Sequence, residues 1–150
     1  MRQSITILFL TISITLFGQN TNTKKGFMAK GYDVVSYFDK KVKKGTKDFV
    51  VEVDDVKYQF SSKENLNLFK DNPKKYIPQY GGYCAYAIGA KGEKVDINPD
   101  TFEVRDGKLY LFYNSWGVNT LKLWKKEGAL GLKEKADKNW KKIIKKLIVF

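Results

Sequence analysis

Cys84 is the only cysteine in the chain, and it is the residue best suited to redox or covalent chemistry. Cysteine reacts as the thiolate, which forms readily where a cation, a helix N-terminus or backbone N–H groups favour it. Lys74, Lys75 and Lys91 are candidates for that cation. Without a second cysteine, thiol exchange needs an external thiol as resolving partner. The alternative is that Cys84 is a small buried core residue, a common position for a free cysteine.

The residues on both sides of Cys84 are candidates for a ligand-binding site. Paired glycines permit unusual backbone angles or close approach, and here they could direct N–H groups at the sulfur. The tyrosines could line a pocket, donate hydrogen bonds to a thiolate or carry a radical. The alternative is that they pack in the core with their hydroxyls at its edge. The candidate ligand-binding residues are Tyr80, Gly81, Gly82, Tyr83 and Tyr86.

The sequence contains no histidine, which excludes several familiar kinds of site. Ser-His and Cys-His catalysis, imidazole metal ligands and axial-histidine haem binding all need that side chain. Asp33, Asp96 and Asp100 show no spacing that indicates metal ligands or a catalytic base. We therefore expect no metal site, and the sequence points to no particular cofactor.

The chain is strongly basic, with a formal net charge of +12, and almost all of its basic residues are lysine. Proteins that read nucleic-acid sequence depend on arginine for bidentate base contacts, and only Arg2 and Arg105 are present. The lysines therefore indicate a soluble surface rather than a nucleic-acid partner. The partners that we expect are a small molecule, an oxidant or an external thiol.

Residues 1–19 have the pattern of a secretory signal peptide. Arg2 precedes an apolar run from Ser4 to Phe17, which Gly18-Gln19 ends. The run is roughly 14 residues long, short of the ~20 that a membrane-spanning helix needs. A retained single-helix anchor is the alternative. We predict cleavage, export to the periplasm or the medium, and no membrane span afterwards; residues 20–29 are then a polar linker, and residues 30–147 form one domain.

Two pairs of alternating or β-branched runs predict two β-hairpins. The first joins Phe49–Val53 to Val56–Phe60 across Asp54-Asp55, and the second joins Thr101–Arg105 to Lys108–Tyr113 across Asp106-Gly107.

Helix signals occur after each hairpin. Ser61, with Glu64 three residues later, predicts a helix start, and Asn72-Pro73 predicts its end. Asn114 or Ser115 is predicted to cap a second helix that runs through Trp116 to Trp124. A last amphipathic helix is predicted from Leu132 to Leu147, with lysines on its solvent face. The predicted fold class is α+β: a small antiparallel sheet of two hairpins with helices packed on one side.

Several short segments, taken in chain order, carry a resemblance to a known family. They are Gly31-Tyr32-Asp33, Ser36-Tyr37-Phe38, Tyr58–Ser62, Phe69, Asn72-Pro73, Tyr76 and Tyr80–Tyr86. Together they resemble the YHS-domain family, and most of all its exported, stand-alone branch. The similarity runs from about Lys30 to Trp140. Some members of that branch carry selenocysteine at what the resemblance makes the position of Cys84, which implies redox chemistry there.

The resemblance also bears on metal binding, because relatives attached to heavy-metal pumps have cysteine ligands. It places three of those cysteine positions at Ser36, Ser61 and Asn65. Thiophilic metals need several thiolates or imidazoles together, so metal binding of that kind is not expected here. The leading hypothesis is a thiol-redox or ligand-binding role centred on Cys84. The alternatives are a non-enzymatic binding or accessory module and a degenerate metal-binding domain, and whether the protein is an enzyme stays open.

Overall fold

The computed structural model describes residues 20–146, so the predicted signal peptide and Leu147 lie outside the described residues. Within that range the chain forms five α-helices and eight short strands. The helices are α1 (Lys63–Asp71), α2 (Pro73–Tyr76), α3 (Ala85–Lys91), α4 (Thr120–Glu127) and α5 (Ala129–Lys145). The strands are β1 (Thr23–Lys24), β2 (Phe27–Met28), β3 (Val50–Val53), β4 (Val56–Gln59), β5 (Asn98–Arg105), β6 (Lys108–Phe112), β7 (Asn114–Ser115) and β8 (Val118–Asn119).

The α+β class and both predicted hairpins are confirmed, but the hairpins do not share one antiparallel sheet. β3 and β4 pair antiparallel across Asp54-Asp55, and β5 and β6 pair antiparallel across Asp106-Gly107. The first hairpin belongs to a mixed four-stranded sheet in the order β1-β2-β4-β3, in which β2 runs parallel to β4. The second hairpin forms its own two-stranded sheet. The prediction of one shared antiparallel sheet is therefore wrong, since neither β5 nor β6 pairs with a strand of the first sheet.

The segment that the sequence predicts to be a linker contributes to the fold. Met28 and Ala29 are each only 1% exposed, and Phe27 pairs with Lys57 of β4. Further upstream, the backbone N–H of Asn22 donates to the Gly81 carbonyl at 2.7 Å. The folded domain therefore begins before residue 30.

Helix α1 starts one residue later than predicted. Ser62 caps it, since its hydroxyl accepts from the Asn65 N–H at 3.1 Å, while the Ser61 hydroxyl donates to Asp33. The helix buries Phe69 completely and ends at Asp71, directly before the predicted Asn72-Pro73 break.

The predicted helix start at Asn114 or Ser115 is wrong. Residues 114–119 form the β7–β8 hairpin, whose turn places Trp116 and Gly117 at φ angles of 51° and 76°. Asn119 caps α4 instead, accepting from the Lys122 N–H at 3.1 Å. A bulky residue rarely adopts a positive φ, so a turn at Trp116 is not expected from its residue type.

Two adjoining clusters of buried side chains form the core. One lies between the four-stranded sheet, α1 and the β5–β6 hairpin, and includes Phe60, Phe69 and Cys84. The other is enclosed by α3, α4, α5 and β6, and includes Ile88 and Trp124. Helix α5 contributes Leu132 and Ala136 to it, as its apolar stripe predicts. Cys84 and α3 lie where the two clusters meet.

Candidate functional site

Cys84 lies directly before helix α3 and is 0% exposed. Its N–H donates to the Val95 carbonyl at 2.9 Å, and its carbonyl accepts from the Ile88 N–H at 3.1 Å. The first bond ties Cys84 to the loop after α3, and the second is the first turn of α3. The position of the sulfur is therefore fixed by backbone hydrogen bonds on both sides.

The Cys84 thiol lies within hydrogen-bond distance of the Thr120 hydroxyl. Its Sγ lies 3.3 Å from the Thr120 Oγ1, which also lies 2.8 Å from the Tyr113 carbonyl and donates to it. A hydroxyl has a single proton to donate. Because Tyr113 receives that proton, the Cys84 S–H is the donor to Thr120. The geometry thus fits an S–H group that donates to Thr120, the first residue of α4.

A partly open cavity of about 270 Å³ is lined in part by Cys84. We call it the Cys84 cavity, and it is lined by Cys84, Tyr86, Ala87, Lys91, Glu93, Val95, Tyr113, Val118, Thr120 and Leu123. Lys91, Glu93 and Val118 are exposed, whereas Cys84 is closed to solvent. A molecule at the rim therefore reaches the sulfur only when the wall opens slightly.

Of the three lysines that the sequence offers as activating cations, the structure places one at this cavity. Lys91, at the end of α3, is exposed and lines the cavity. Lys74 lines a different groove, and the Lys75 ammonium lies 5.0 Å from the centre of the Tyr76 ring.

The three candidate tyrosines have different hydrogen-bond partners. Tyr86 lines the Cys84 cavity and donates to Glu127 at 2.9 Å; burial, and then this hydrogen bond, raise the pKa of Tyr86. Tyr80 donates to Asp137 at 2.8 Å instead. Burial, and then that bond, raise the pKa of Tyr80. Tyr83 donates to the Thr21 carbonyl at 3.5 Å, and burial raises its pKa as well. Protonated, hydrogen-bonded tyrosines are donors here, not bases.

Gly81 and Gly82 contact the N-terminal segment, residues 20–28. Both have positive φ, and a Cβ on Gly81 would collide with the Asn20 carbonyl, while one on Gly82 would lie 2.6 Å from the Met28 sulfur. The carbonyls of both glycines accept hydrogen bonds from Asn22. The Gly82 N–H donates to the Gln79 carbonyl at 3.1 Å, so it is not directed at Cys84. Only glycine permits this close approach of the N-terminal segment.

A second polar site, which the spacing of its residues does not reveal, is built around Asp33. This carboxylate is 0% exposed. Its Oδ1 accepts from the N–H groups of Val35 and Ser36, at 2.9 and 3.3 Å. Its Oδ2 accepts from the Ser61 N–H and hydroxyl, at 2.8 and 2.7 Å, and from the Asn65 amide at 2.7 Å. We call Asp33, Ser36, Ser61 and Asn65 the Asp33 cluster.

The Asp33 cluster unites the three positions at which the YHS resemblance would place cysteines. The cluster offers no thiolate and no imidazole, and both carboxylate oxygens already accept hydrogen bonds. These residues do not fit a thiophilic metal. More widely, residues 20–146 contain no group of three or more histidine, cysteine or acidic side chains arranged to hold a metal ion. The motif positions were the signal that could have identified this cluster from sequence.

No model of a known protein family matches the chain, and neither a curated protein nor a solved structure matches it. Among the helices of residues 20–146, none has the length and apolar character needed to cross a membrane. The Cys84 cavity and the Asp33 cluster are therefore the features from which a function can be inferred.

Proposed function

We propose that this chain is an exported, YHS-like binding protein whose small, mostly apolar ligand occupies the Cys84 cavity. One observation carries the proposal: Cys84, the single cysteine, is among the residues that line a cavity of about 270 Å³. Ligand sites are typically concave and mostly apolar, with a few polar groups, and this cavity has that character. Its position beside the most reactive type of side chain therefore favours a binding role.

The walls of the cavity indicate the ligand's chemistry. Ala87, Val95 and Leu123 present apolar surface, and Tyr86 adds a ring. Two of its lining residues, Cys84 and Thr120, are buried and contribute a thiol and a hydroxyl. Drug-sized ligands occupy about 300–1,000 Å³, so this cavity suits a smaller molecule such as a single aromatic ring with one polar group.

Reversible oxidation of Cys84 is the second candidate function, favoured by the presence of this cysteine in the cavity lining. With a hydroperoxide as oxidant, the thiolate attacks one peroxide oxygen, the O–O bond breaks, and the alkoxide or hydroxide leaves and takes up a proton. The resulting sulfenic acid condenses with an external thiol to a disulfide and water, and a second thiol restores Cys84. Ionisation of Cys84 would free Thr120 to donate to the sulfur in place of the Tyr113 carbonyl.

Benzyl alcohol is a suitable probe of ligand binding, because it combines one ring with one hydroxyl. We expect it to shift the amide NMR signals of Val95, Thr120 and Leu123. Val118→Phe should abolish these shifts by filling the rim of the cavity. Val50→Phe is the matched control, since Val50 is also an exposed strand valine (39% against 46% for Val118) but lies away from the cavity. Equal shifts in both variants would overturn the proposal.

Peroxide treatment tests the second candidate. If Cys84 is a redox thiol, hydrogen peroxide should convert it in the folded protein to a sulfenic acid that dimedone traps. Cys84→Ser should retain the fold and give no adduct. A wild-type protein that gives an adduct only after denaturation would exclude the redox role and leave the binding role standing.

A further inference from the structure

A separate groove of about 530 Å³ lies where α2, the turn at residues 79–81, the start of β6 and α5 meet. We call it the lysine groove, and the side chains that matter in it are Lys74, Lys108, Lys141, Tyr80, Trp140 and Asp137. It shares no lining residue with the Cys84 cavity, so it is independent of the function proposed above.

The groove has an excess of positive charge. Lys74, Lys108 and Lys141 come from three different elements, and all three are exposed. Within residues 20–146, none of these three lysines forms an ion pair closer than 4 Å, although Asp137 lines the same groove. Three positive charges therefore share the groove with one carboxylate.

The acidic residue in the groove, Asp137, already has two side-chain partners. Asp137 accepts from the Tyr80 hydroxyl at 2.8 Å through one oxygen and from the Lys133 ammonium at 3.0 Å through the other. Its negative charge is therefore offset by Lys133, on the same helix. The electrostatic character of the groove is set by the three lysines.

A rigid aromatic wall lies beside these lysines. The Trp140 ring packs against Tyr80, with ring centres 6.2 Å apart, and against Tyr83 at 6.3 Å. Tyr80 is itself held by its hydrogen bond to Asp137. Because the indole is fixed between two tyrosines before any ligand arrives, little side-chain entropy is lost on binding.

We propose that the lysine groove binds a small organic anion that carries a flat ring, such as an aromatic carboxylate or sulfonate. The ring packs on Trp140, and the anionic group is bound by the ammonium groups of Lys74, Lys108 and Lys141. A groove of this size accommodates one or two fused rings. Because the charges are exposed, binding weakens as salt is added.

Naphthalene-2-sulfonate is the probe, titrated into the protein while the Trp140 indole N–H signal is followed by NMR. The groove variant combines Lys74→Gln, Lys108→Gln and Lys141→Gln. The matched control removes the same charge elsewhere on the surface, with Lys47→Gln, Lys63→Gln and Lys70→Gln, all at exposed positions. We expect the groove variant to bind about tenfold more weakly and the control to bind nearly as the wild type does.

The uncharged analogue 2-naphthalenemethanol separates the contributions of ring and charge. We expect it to bind the wild type and the groove variant equally weakly. An equal loss of naphthalene-2-sulfonate affinity in both lysine variants would show a general charge effect and overturn the proposal. Shifts centred on Thr120 instead of Trp140 would also overturn it, since they would place the probe in the Cys84 cavity.

Discussion

The Asp33 cluster and the Cys84 cavity are both buried polar sites, but they differ in how completely the polar group is satisfied. Asp33 accepts five hydrogen bonds, and its donors close around it. Cys84 has a single side-chain hydrogen-bond partner among residues 20–146, Thr120, and lines a cavity. A saturated group is held in one arrangement, whereas a sulfur beside a cavity can accept a further partner. We therefore infer a structural role for the Asp33 cluster and a binding role for the Cys84 cavity.

The difference follows from the chemistry of the two groups. A buried carboxylate is costly unless its lone pairs are all used, so a site built around one must surround it with donors. A thiol is nearly apolar and tolerates an incomplete environment. The chain therefore can leave a cavity at Cys84 without a large loss of stability, but not at Asp33.

The largest expected effect is that of Asp33→Asn. In either orientation the new amide group points its N–H groups at existing donors: those of Val35 and Ser36 if it replaces Oδ1, or those of Ser61 and Asn65 if it replaces Oδ2. Two or more buried donors then lose their partners, and we expect the free energy of unfolding to fall by about 3 kcal/mol. Urea denaturation measures it. Asp39→Asn is the control, because Asp39 is exposed, and it should change stability by less than about 0.5 kcal/mol. Equal effects would refute the structural role of Asp33.

A smaller effect is expected on the other side of the comparison. Thr120→Val removes the hydroxyl that links Cys84 to the Tyr113 carbonyl while keeping the shape of the side chain. We expect a loss of about 1 kcal/mol, the ordinary net contribution of a hydrogen bond. A double-mutant cycle with Cys84→Ala should give a coupling energy below about 1 kcal/mol. A coupling energy as large as the loss in stability expected for Asp33→Asn would mean that Cys84 has a structural role as well.

Lowering the pH should remove a contribution that Glu103 makes to the stability of the fold. Glu103 lies in β5 and accepts a hydrogen bond from Trp124 of α4. Burial opposes ionisation of Glu103, but hydrogen bonds from Arg105 and Trp124, at 3.0 Å each, outweigh it and lower its pKa. A carboxyl whose pKa is lowered by folding stabilises the fold above its ordinary pKa of 4.5, and this contribution disappears as the pH falls through the lower folded-state value. We expect Glu103→Gln to flatten the acid limb of the stability profile below about pH 4.5. An unchanged acid limb would contradict this.

Local signals in the sequence were sufficient for much of the fold. Asp54-Asp55 and Asp106-Gly107 fix their hairpins within two residues, and Pro73 ends α1 because it cannot continue the preceding helix. Strand β2 could not be predicted, because a strand of two residues shows no periodic pattern. In addition, Phe27 of β2 pairs with Lys57, which lies 30 residues further along the chain. The turn at Trp116 escaped because its backbone angle is one that its residue type disfavours.

The site could be predicted only in part. Cys84 is identifiable by residue type alone, but the cavity beside it is made by Val95, Tyr113 and Thr120, which the fold brings in from separate segments. Asp33 is similar, since its donors Ser61 and Asn65 lie 28 and 32 residues further along the chain. Such partners become visible only in three dimensions.

Labelling of Cys84 in the folded protein tests most directly whether its cavity admits a ligand. The sulfur attacks methyl methanethiosulfonate, the methylthio group is transferred to it, and methanesulfinate leaves. We expect this small neutral reagent to label the wild type and Val50→Phe well before the protein unfolds. Val118→Phe should be labelled about tenfold more slowly. A bulky, charged thiosulfonate should react slowly with all three proteins. Rates that are the same for both reagents and equal to the rate of global unfolding would show that Cys84 is only a core residue, and would contradict the binding role.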